Sequence, residues 1–600
     1  MSRVHLSEHI IARTEHVARA VALIEDSGAA AMLDGWRSDD KRSSGRTGKG
    51  GMPAWLDDAA VLALLYTVTS ASRPQTVNAM ASLVYHGLER EALLLLGVDP
   101  SGMGPRDVRE RVSRSLHRLL DVLDPHPGTK KERKLVTEQR EYEESLDRTV
   151  EAERLQRLHE LSNAIVMASV RLLPSTYLAR WNGNCSVDST FVPAYTSAGN
   201  PRREDADGSR VVSIEPFAGW YVRDSFDHGL TPEMLAAKDA KTKWMVREAK
   251  WGWEATTILM GMEDPQREPT YPLLCLGMSF HKPGFEPGPN AVRALRLVRS
   301  AGMPAGYLVG DRAYGYSPLL EHFAGPAREL GYKLVWELKD EDLGKAQMVN
   351  GAVLLEGNLY CPAIMRNSGL VNATRSHRVG DPATKEKTTF GDWKASVDVR
   401  AKLLLKPHGR MEADGCARFR CPASGDAPTV ICPLRPRDDA KSASLHNVKR
   451  AELPRKDERS GLCSSLGGTV TMKPGATYPR YFQELHFGSR EWYETYTRMR
   501  QTVESFNNQV KDGAFTALAS ADRRRVRGFA AQQLCVAMIL AAGNDRKIER
   551  WLQSPVQPDS EGRGPLSIRK LRRRDDVGYG PRGKRTGTVS VDARDREEAA

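Results

Sequence analysis

"YLVGDRAYGY", residues 307–316, decides how the centre of this chain is read. Tyr307, Leu308 and Val309 run into Gly310 like the end of a buried strand. A carboxylate, Asp311, then stands where the chain should leave the sheet, followed by Arg312 and Tyr314. Taken alone this is an ordinary exit from a strand into a loop. It means more only if other acids, distant in sequence, fold back to meet it.

Upstream, "CSVDSTFVPAY" (185–195) alternates like a strand, and "KWMVREAKWGWEATTILMG" (243–261) and "YPLLCLGMSF" (271–280) are two more strand-like runs. A helix follows, "NAVRALRLVRSAG" (290–302), closed by Gly302 and Pro304. After the quoted strand come a helix, "SPLLEHFAGPARELG" (317–331), and a strand, "YKLVWELK" (332–339). The order of three strands, helix, strand, helix, strand predicts a mixed α/β domain. Residues 341–488 differ. They are rich in Gly, Pro and short strand-like runs ("AVLLEGNLYCPA", "SVDVRAKLLLKP", "CARFRCPA", "TVICPLRP"), which predicts a β-rich insertion. Helix resumes at 489–512 and again over 524–553.

The N-terminal part reads as all-helical. A helix is expected over 1–35, ending near Gly35, followed by a polar linker, "GWRSDDKRSSGRTGKGG". Its "GRTGKG" is not a phosphate loop, because Gly50 stands where Ser or Thr must follow Lys49. "DDAAVLALLYTVTS" and "QTVNAMASLVYHGL", joined at "ASRP", fit a helix-turn-helix outline and any helical hairpin equally well. In "GPRDVRERVSRSLHRLLDVLD", Val108, Val112, Leu116, Leu119, Leu120 and Leu123 recur at helical spacing. Arg106, Arg109, Arg111, Arg114 and Arg118 cover the other side, as a solvated face or a surface for phosphates.

The 600 residues suffice for two to four domains. Lys and Arg total 88 against 76 Asp and Glu, a net charge of +12 that suits an anionic partner. Eight Cys make no disulfide scaffold and fit a reducing cytoplasm. No apolar run approaches the roughly 18 residues of a membrane span, and "MSRVHLSEHIIARTEH" lacks the apolar centre of a signal peptide. A soluble, cytoplasmic, nucleoid-associated protein is expected. Cys416, Cys421, Cys432 and Cys463, with Cys361 before them, lack the tight Cys-x₂-Cys spacing of a zinc ribbon. That spacing favours free buried thiols over a structural zinc. Cys185, Cys275, Trp251, Trp253 and Trp336 read as sheet packing, and "RRRVRG" (523–528) as a helix start, solvated or touching DNA. The last 45 residues or so are charged and predicted to be disordered.

A pair of acids shares one setting. Asp188 lies inside the first strand and Asp311 ends the fourth, so a sheet that pairs these strands brings the carboxylates together. Adjacent anions repel unless cations hold them, and oxygen-ligated Mg²⁺ answers that need. In "YTRMRQTVESFNNQVKD", Arg500, Glu504, Asn507 and Lys511 are spaced four, three and four along one helical face, with Tyr496 on the same face. Cations flanking a Glu suit a metal ligand bordered by phosphate clamps.

An acid on the first strand, one after the fourth and a Glu on a helix beyond a β-rich insertion resemble the DDE transposases of bacterial insertion sequences. The likeness is to the group whose third acid lies in a Tyr-Arg-Glu-Lys signature. Arg500, Glu504 and Lys511 match its spacing, and "DRAY" (311–314) resembles its second-acid segment, whereas Tyr496 lies one residue too far from the Arg. The likeness spans residues 180–340 and 485–545.

It implies an RNase H-like mixed sheet flanked by helices. The implied layout is a helical N-terminal DNA-binding region (1–125), a charged connector and helix (126–178), and a catalytic domain in two parts (179–340 and 489–555). The insertion (341–488) separates those parts, and a basic tail (556–600) follows. Asp188, Asp311 and Glu504 are implied as catalytic ligands of two Mg²⁺ ions, for which Mn²⁺ substitutes. Arg500, Lys511, Arg312, Tyr314, Asn507 and Tyr496 are implied as DNA-binding. The activity implied is cleavage at the element's terminal repeats and strand transfer into target DNA, by a homodimer in the DNA complex. The alternatives are an RNase H-like nuclease that does not transpose and a DNA-binding regulatory relative.

Overall fold

The computed structural model describes residues 12–43, 54–128, 133–198, 212–222, 231–265, 267–315, 319–409, 416–435, 449–457, 459, 461–464, 468–473 and 481–554. The "GRTGKG" stretch and the basic tail lie outside them. The protein is mixed α/β, in two compact units. Of the described residues, those of 12–333 and 498–554 belong to the first and those of Leu334–Thr497 to the second. The N-terminal helices therefore share one unit with the sheet that carries the acids. Among the described residues no helix is long and apolar enough to cross a membrane.

The first unit opens with α1 (Thr14–Ser27) and α2 (Ala29–Ser43). The break falls at Gly28 in the left-handed region (φ 69°), not at Gly35, which lies inside α2. A positive φ ends a helix at little cost only for glycine, whereas a glycine with ordinary helical angles merely weakens one. The start of the expected linker is accordingly helical.

The next helix, α3 (Asp58–Ser70), is capped by Asp57, whose side chain accepts the Ala60 N–H at 2.7 Å. Every residue from Ala60 to Thr69 is buried. The turn after it is pinned inward, Gln75 donating its N–H to the Arg523 carbonyl and its Nε2–H to that of Cys535. This first helix of the helix-turn-helix outline is a core element with no free face. The arginine-rich helix α4 (Pro105–Leu120) buries its expected apolar stripe. Much of its basic side is engaged within the protein: Arg118 reaches Asp58 at 2.9 Å, Arg109 bonds Asn78 at 2.8 Å, and Arg106 pairs with Glu110 at 2.9 Å. A long helix, α5 (Arg148–Arg171), leads to the sheet.

The sheet comprises β1 (Cys185–Pro193), β2 (Gly219–Tyr221), β3 (Lys250–Met260), β4 (Cys275–His281), β5 (Tyr307–Gly310) and β6 (Lys333–Trp336). Its order is β2-β3-β1-β5-β6, with β4 also paired to β3. β1 and β4 run antiparallel to β3, and β5 runs parallel to β1. That parallel pairing requires a crossover, which α6 (Pro287–Ser300) supplies. "KWMVREA", expected as strand, forms the helix Ala240–Arg247 up to its Arg, and β3 starts only at Lys250. Asp239 accounts for this by accepting the Thr242 N–H at 2.8 Å, an N-cap that outweighs local strand propensity.

The second unit has its own core, centred on Ala352–Leu355, Tyr360, Phe419 and Phe482. Two three-stranded sheets lie in it, β7 (Ala346–Val349) with β8 (Ala352–Leu355) and β9 (Asn358–Tyr360), and β10 (Lys406–Pro407) with β11 (Ala417–Arg420) and β14 (Thr469–Met472). β12 (Val430–Ile431) pairs with β13 (Lys449–Arg450). The segment is less strand-rich than expected, because α7 (Ser368–Arg378) and α8 (Phe390–Leu403) lie within it. "SVDVRAKL", expected as strand, is the C-terminal half of α8. The Thr389 side chain caps α8, and Trp393, Val397 and Arg400 bury one face at spacings of four and three. The division between the units falls within α9 (Arg490–Lys511), and α10 (Phe529–Leu552) is almost wholly buried in the first unit.

Candidate active site

Two of the acids meet through the parallel pairing. β1 and β5 are matched as Cys185 with Leu308, Ser186 with Val309 and Val187 with Gly310. The next residue on each strand is Asp188 and Asp311, so the two carboxylates leave neighbouring strands at one level. Gly310 leaves little room there: a Cβ would come 3.1 Å from Val187 Cγ1 and 3.4 Å from Tyr314 Cδ2. Asp311 then starts the helical turn Arg312–Gly315, its Oδ1 accepting the Arg312 N–H at 2.5 Å and its carbonyl the Tyr314 N–H at 3.1 Å.

The third acid arrives on α9. Met499, Val503, Phe506 and Val510 recur at helical spacing and are fully buried. Two glycines fix where that stripe sits. A Cβ on Gly261, after β3, would lie 2.5 Å from Met499 Cε, and one on Gly543 of α10 would lie 3.0 Å from Val510 Cγ1. With the stripe seated this way, Arg500 and Glu504 face the strand ends. Arg500 Nη2 stands 3.2 Å from Asp311 Oδ2, and its Nε stands 3.6 Å from Glu504 Oε1. Glu504 is the most open of the three acids, its side chain 57 % exposed.

Electrostatics bind the group together. The Asp188 carboxyl is pushed up to about 6, chiefly by burial. The Arg500 guanidinium pulls it down, Asp311 and Glu504 push it up, and the Ser189 N–H, 2.9 Å from its Oδ1, pulls it down. Lys511 belongs to the same field. Burial depresses its ammonium, Asp188 draws it back up, and Lys250 lowers it. Asp188, Asp311, Glu504, Arg500 and Lys511 thus form one charge cluster at the two neighbouring inner strands β1 and β5. Three like charges held around one guanidinium call for further positive charge, and an all-oxygen donor set suits a hard divalent cation. Among the described residues no three His, Cys, Asp or Glu side chains stand as a ready metal-binding group.

Not every expected contact residue is available. Tyr314 is 2 % exposed, beneath Asp188, and Asn507 is 5 % exposed. Each lies on the side of its helix that faces the interior and presents almost no surface to a partner. Tyr496 stacks on Trp492 at 5.2 Å within the second unit. Arg312 is half-buried and Arg500 retains 25 % of its side-chain surface.

A further acid, Glu254 on β3, adjoins the site without being marked by any motif. It is 3 % exposed, accepting the Gly284 N–H at 2.7 Å and facing Ser189 Oγ at 3.4 Å. Its register partner His281 bonds Thr256 at 2.8 Å. These groups buttress the strand at the residue after Asp188. The only sequence signal was one carboxylate inside an otherwise apolar run, "WEATTILM". No protein-family model, curated protein or solved structure matches this chain.

Proposed function

We propose that this protein is a DNA transposase of the DDE type, cutting DNA at its element's ends and joining them to a target with divalent metal ions. The observation that carries the reading is the convergence of Asp188, Asp311 and Glu504, three acids from widely separated parts of the chain, around Arg500. Within the sheet, β4, β3 and β1 pair antiparallel, with β2 also on β3, and β5 lies parallel to β1, a mixed pairing compatible with an RNase H-like catalytic domain and so in support of the reading.

On this reading Asp188, Asp311 and Glu504 would hold Mg²⁺, which would supply Lewis acidity at the scissile phosphate and activate a water or 3′-hydroxyl. The chain's own residues bind and orient. Arg500, beside Asp311 and Glu504, would offer its guanidinium to a backbone phosphate, whose oxygens it suits. Lys511, beside Asp188, is placed to neutralise a neighbouring phosphate. Arg312, next to Asp311, offers a further contact at the rim.

The test uses the purified full chain, plasmid DNA carrying the gene's flanking sequences, and Mg²⁺. Cleavage and 3′-end joining are expected, and Asp188→Ala, Asp311→Ala and Glu504→Ala each abolish both while leaving DNA retention on gels largely intact. Metal-dependent cutting retained in any of the three variants refutes the site. Cutting without joining makes the protein a nuclease.

A further inference from the structure

Three stretches of the second unit repeat one short pattern that the transposase reading does not use: Cys361-Pro-Ala-Ile, Cys421-Pro-Ala-Ser and Cys432-Pro-Leu-Arg. Each folds into the same turn. The N–H groups of Ile364, Ser424 and Arg435 donate to the carbonyls of Cys361, Cys421 and Cys432 at 3.0, 2.9 and 2.9 Å. In each turn the amide two residues beyond the cysteine, that of Ala363, Ala423 or Leu434, also donates to the cysteine sulfur. Proline explains the repetition. It fixes its own φ and carries no N–H, so the first free amide is the one that points back at Sγ. An N–H donated to sulfur favours the thiolate, which here wins only at Cys421, whose thiol is lowered chiefly by the Cys361 side chain; Cys361 is raised chiefly by that same bond and Cys432 by burial.

The three turns converge. The Cys361 and Cys421 side chains hydrogen-bond to each other, and Cys432 lies within electrostatic reach of Cys421. Cys463, on the short helix Gly461–Ser464, acts on both Cys361 and Cys432. Cys361, Cys421 and Cys432 are 5, 5 and 9 % exposed within one apolar core. They enter it after β9, β11 and β12, while Cys463 comes just before β14. Cys416 is followed by Ala417 and has no such turn.

We propose that Cys361, Cys421, Cys432 and Cys463 form a structural Zn²⁺ site that ties these short strands together. Four sulfurs, three of them with built-in amide donors, match the closed four-cysteine coordination of structural zinc, and thiolates select such a soft-tolerant ion over Mg²⁺. The need is physical, since β10, β12 and β13 have two residues each and small sheets of that kind are not stable alone. Binding releases the thiol protons, including the one shared by Cys361 and Cys421. Among the described residues the sulfurs do not already stand as a ready metal group, so the proposal requires them to close in on the ion.

The experiment measures metal content rather than activity. The full chain, purified without chelator, is expected to carry about one zinc per chain by elemental analysis. Cys421→Ser and Cys463→Ser reduce that to near zero, whereas Cys535→Ala in the first unit leaves it unchanged. Should the variants aggregate, wild-type protein loaded with Co²⁺ is expected to show the ligand-field and thiolate charge-transfer bands of a tetrahedral sulfur site. A folded wild-type chain free of zinc overturns the proposal, as does one that carries iron instead or links Cys361 to Cys421 by a disulfide.

Discussion

The Arg500 guanidinium joins two carboxylates carried by different elements, 3.2 Å from Asp311 at the end of β5 and 3.6 Å from Glu504 one turn along its own helix. Both pairs are partly exposed, so each contributes little to stability by itself, roughly 0.2–1 kcal/mol. Their importance is that the acids would otherwise face one another unscreened. Arg500→Gln is therefore expected to lower metal-free stability by about 1 kcal/mol and to make the protein more responsive to added Mg²⁺. Thermal melts in EDTA and in a Mg²⁺ series read both effects, and an unchanged response shows that Arg500 does not compensate the acids.

Asp188 gives the opposite sign. Its carboxyl is held up at about 6, chiefly by burial, so its charged form is disfavoured in the fold. The stability it allows is present at low pH and lost as pH rises from about 4 through about 6. Asp188→Asn removes that cost and is expected to stabilise the metal-free protein at neutral pH by up to roughly 3 kcal/mol, while abolishing cleavage and any stabilisation by Mg²⁺. Destabilisation by this isosteric change shows that the aspartate is structural.

The second unit contains a fully buried ion pair, Glu356 with Arg400, at 2.5 Å. Arg400 also donates to the Leu370 and Val371 carbonyls at 2.6 and 2.8 Å, and Thr374 donates to Glu356 at 2.7 Å. The network ties α7 and α8 to the turn between β8 and β9. Arg400→Leu leaves a carboxylate buried without a cation and is expected to cost about 3–5 kcal/mol. Adding Glu356→Leu should recover much of the loss. Urea unfolding of both variants, followed by tryptophan fluorescence, measures the difference.

His486 makes the second unit acid-sensitive. Burial, with a further push from Arg400, depresses its imidazole to about 3, and it pairs with the Tyr360 hydroxyl at 3.0 Å. An unfolded histidine binds a proton near pH 6.5 and this one does not. The stability it confers is therefore full above about pH 6.5 and is lost as pH falls towards 3. His486→Gln is expected to move the acid-unfolding midpoint of this unit to lower pH. A midpoint that stays put assigns acid unfolding to other groups.

Much of the site was legible in one dimension because its parts have local causes. The alternation around Asp188, the strand end before Asp311 and the four-residue spacing of Arg500 and Glu504 are properties of neighbouring residues, and β1, β5 and α9 follow them. What local pattern could not decide was which side of an element meets the interior. Asn507 and Tyr314 are polar yet buried, since Phe506 and Val510 at Gly543, and Gly310 beside Val187, set the rotation of their elements. The switch of "SVDVRAKL" from expected strand to helix has the same origin, a side-chain cap at Thr389 and burial of Trp393 and Arg400. The cysteines show the limit most plainly. Their sequence separations are irregular, but Cys-Pro turns entering one core from separate strands bring them together. Sequence determines the short-range pieces because backbone preference acts over a few residues; the meeting of distant charges and thiols depends on how whole elements bury their apolar surface.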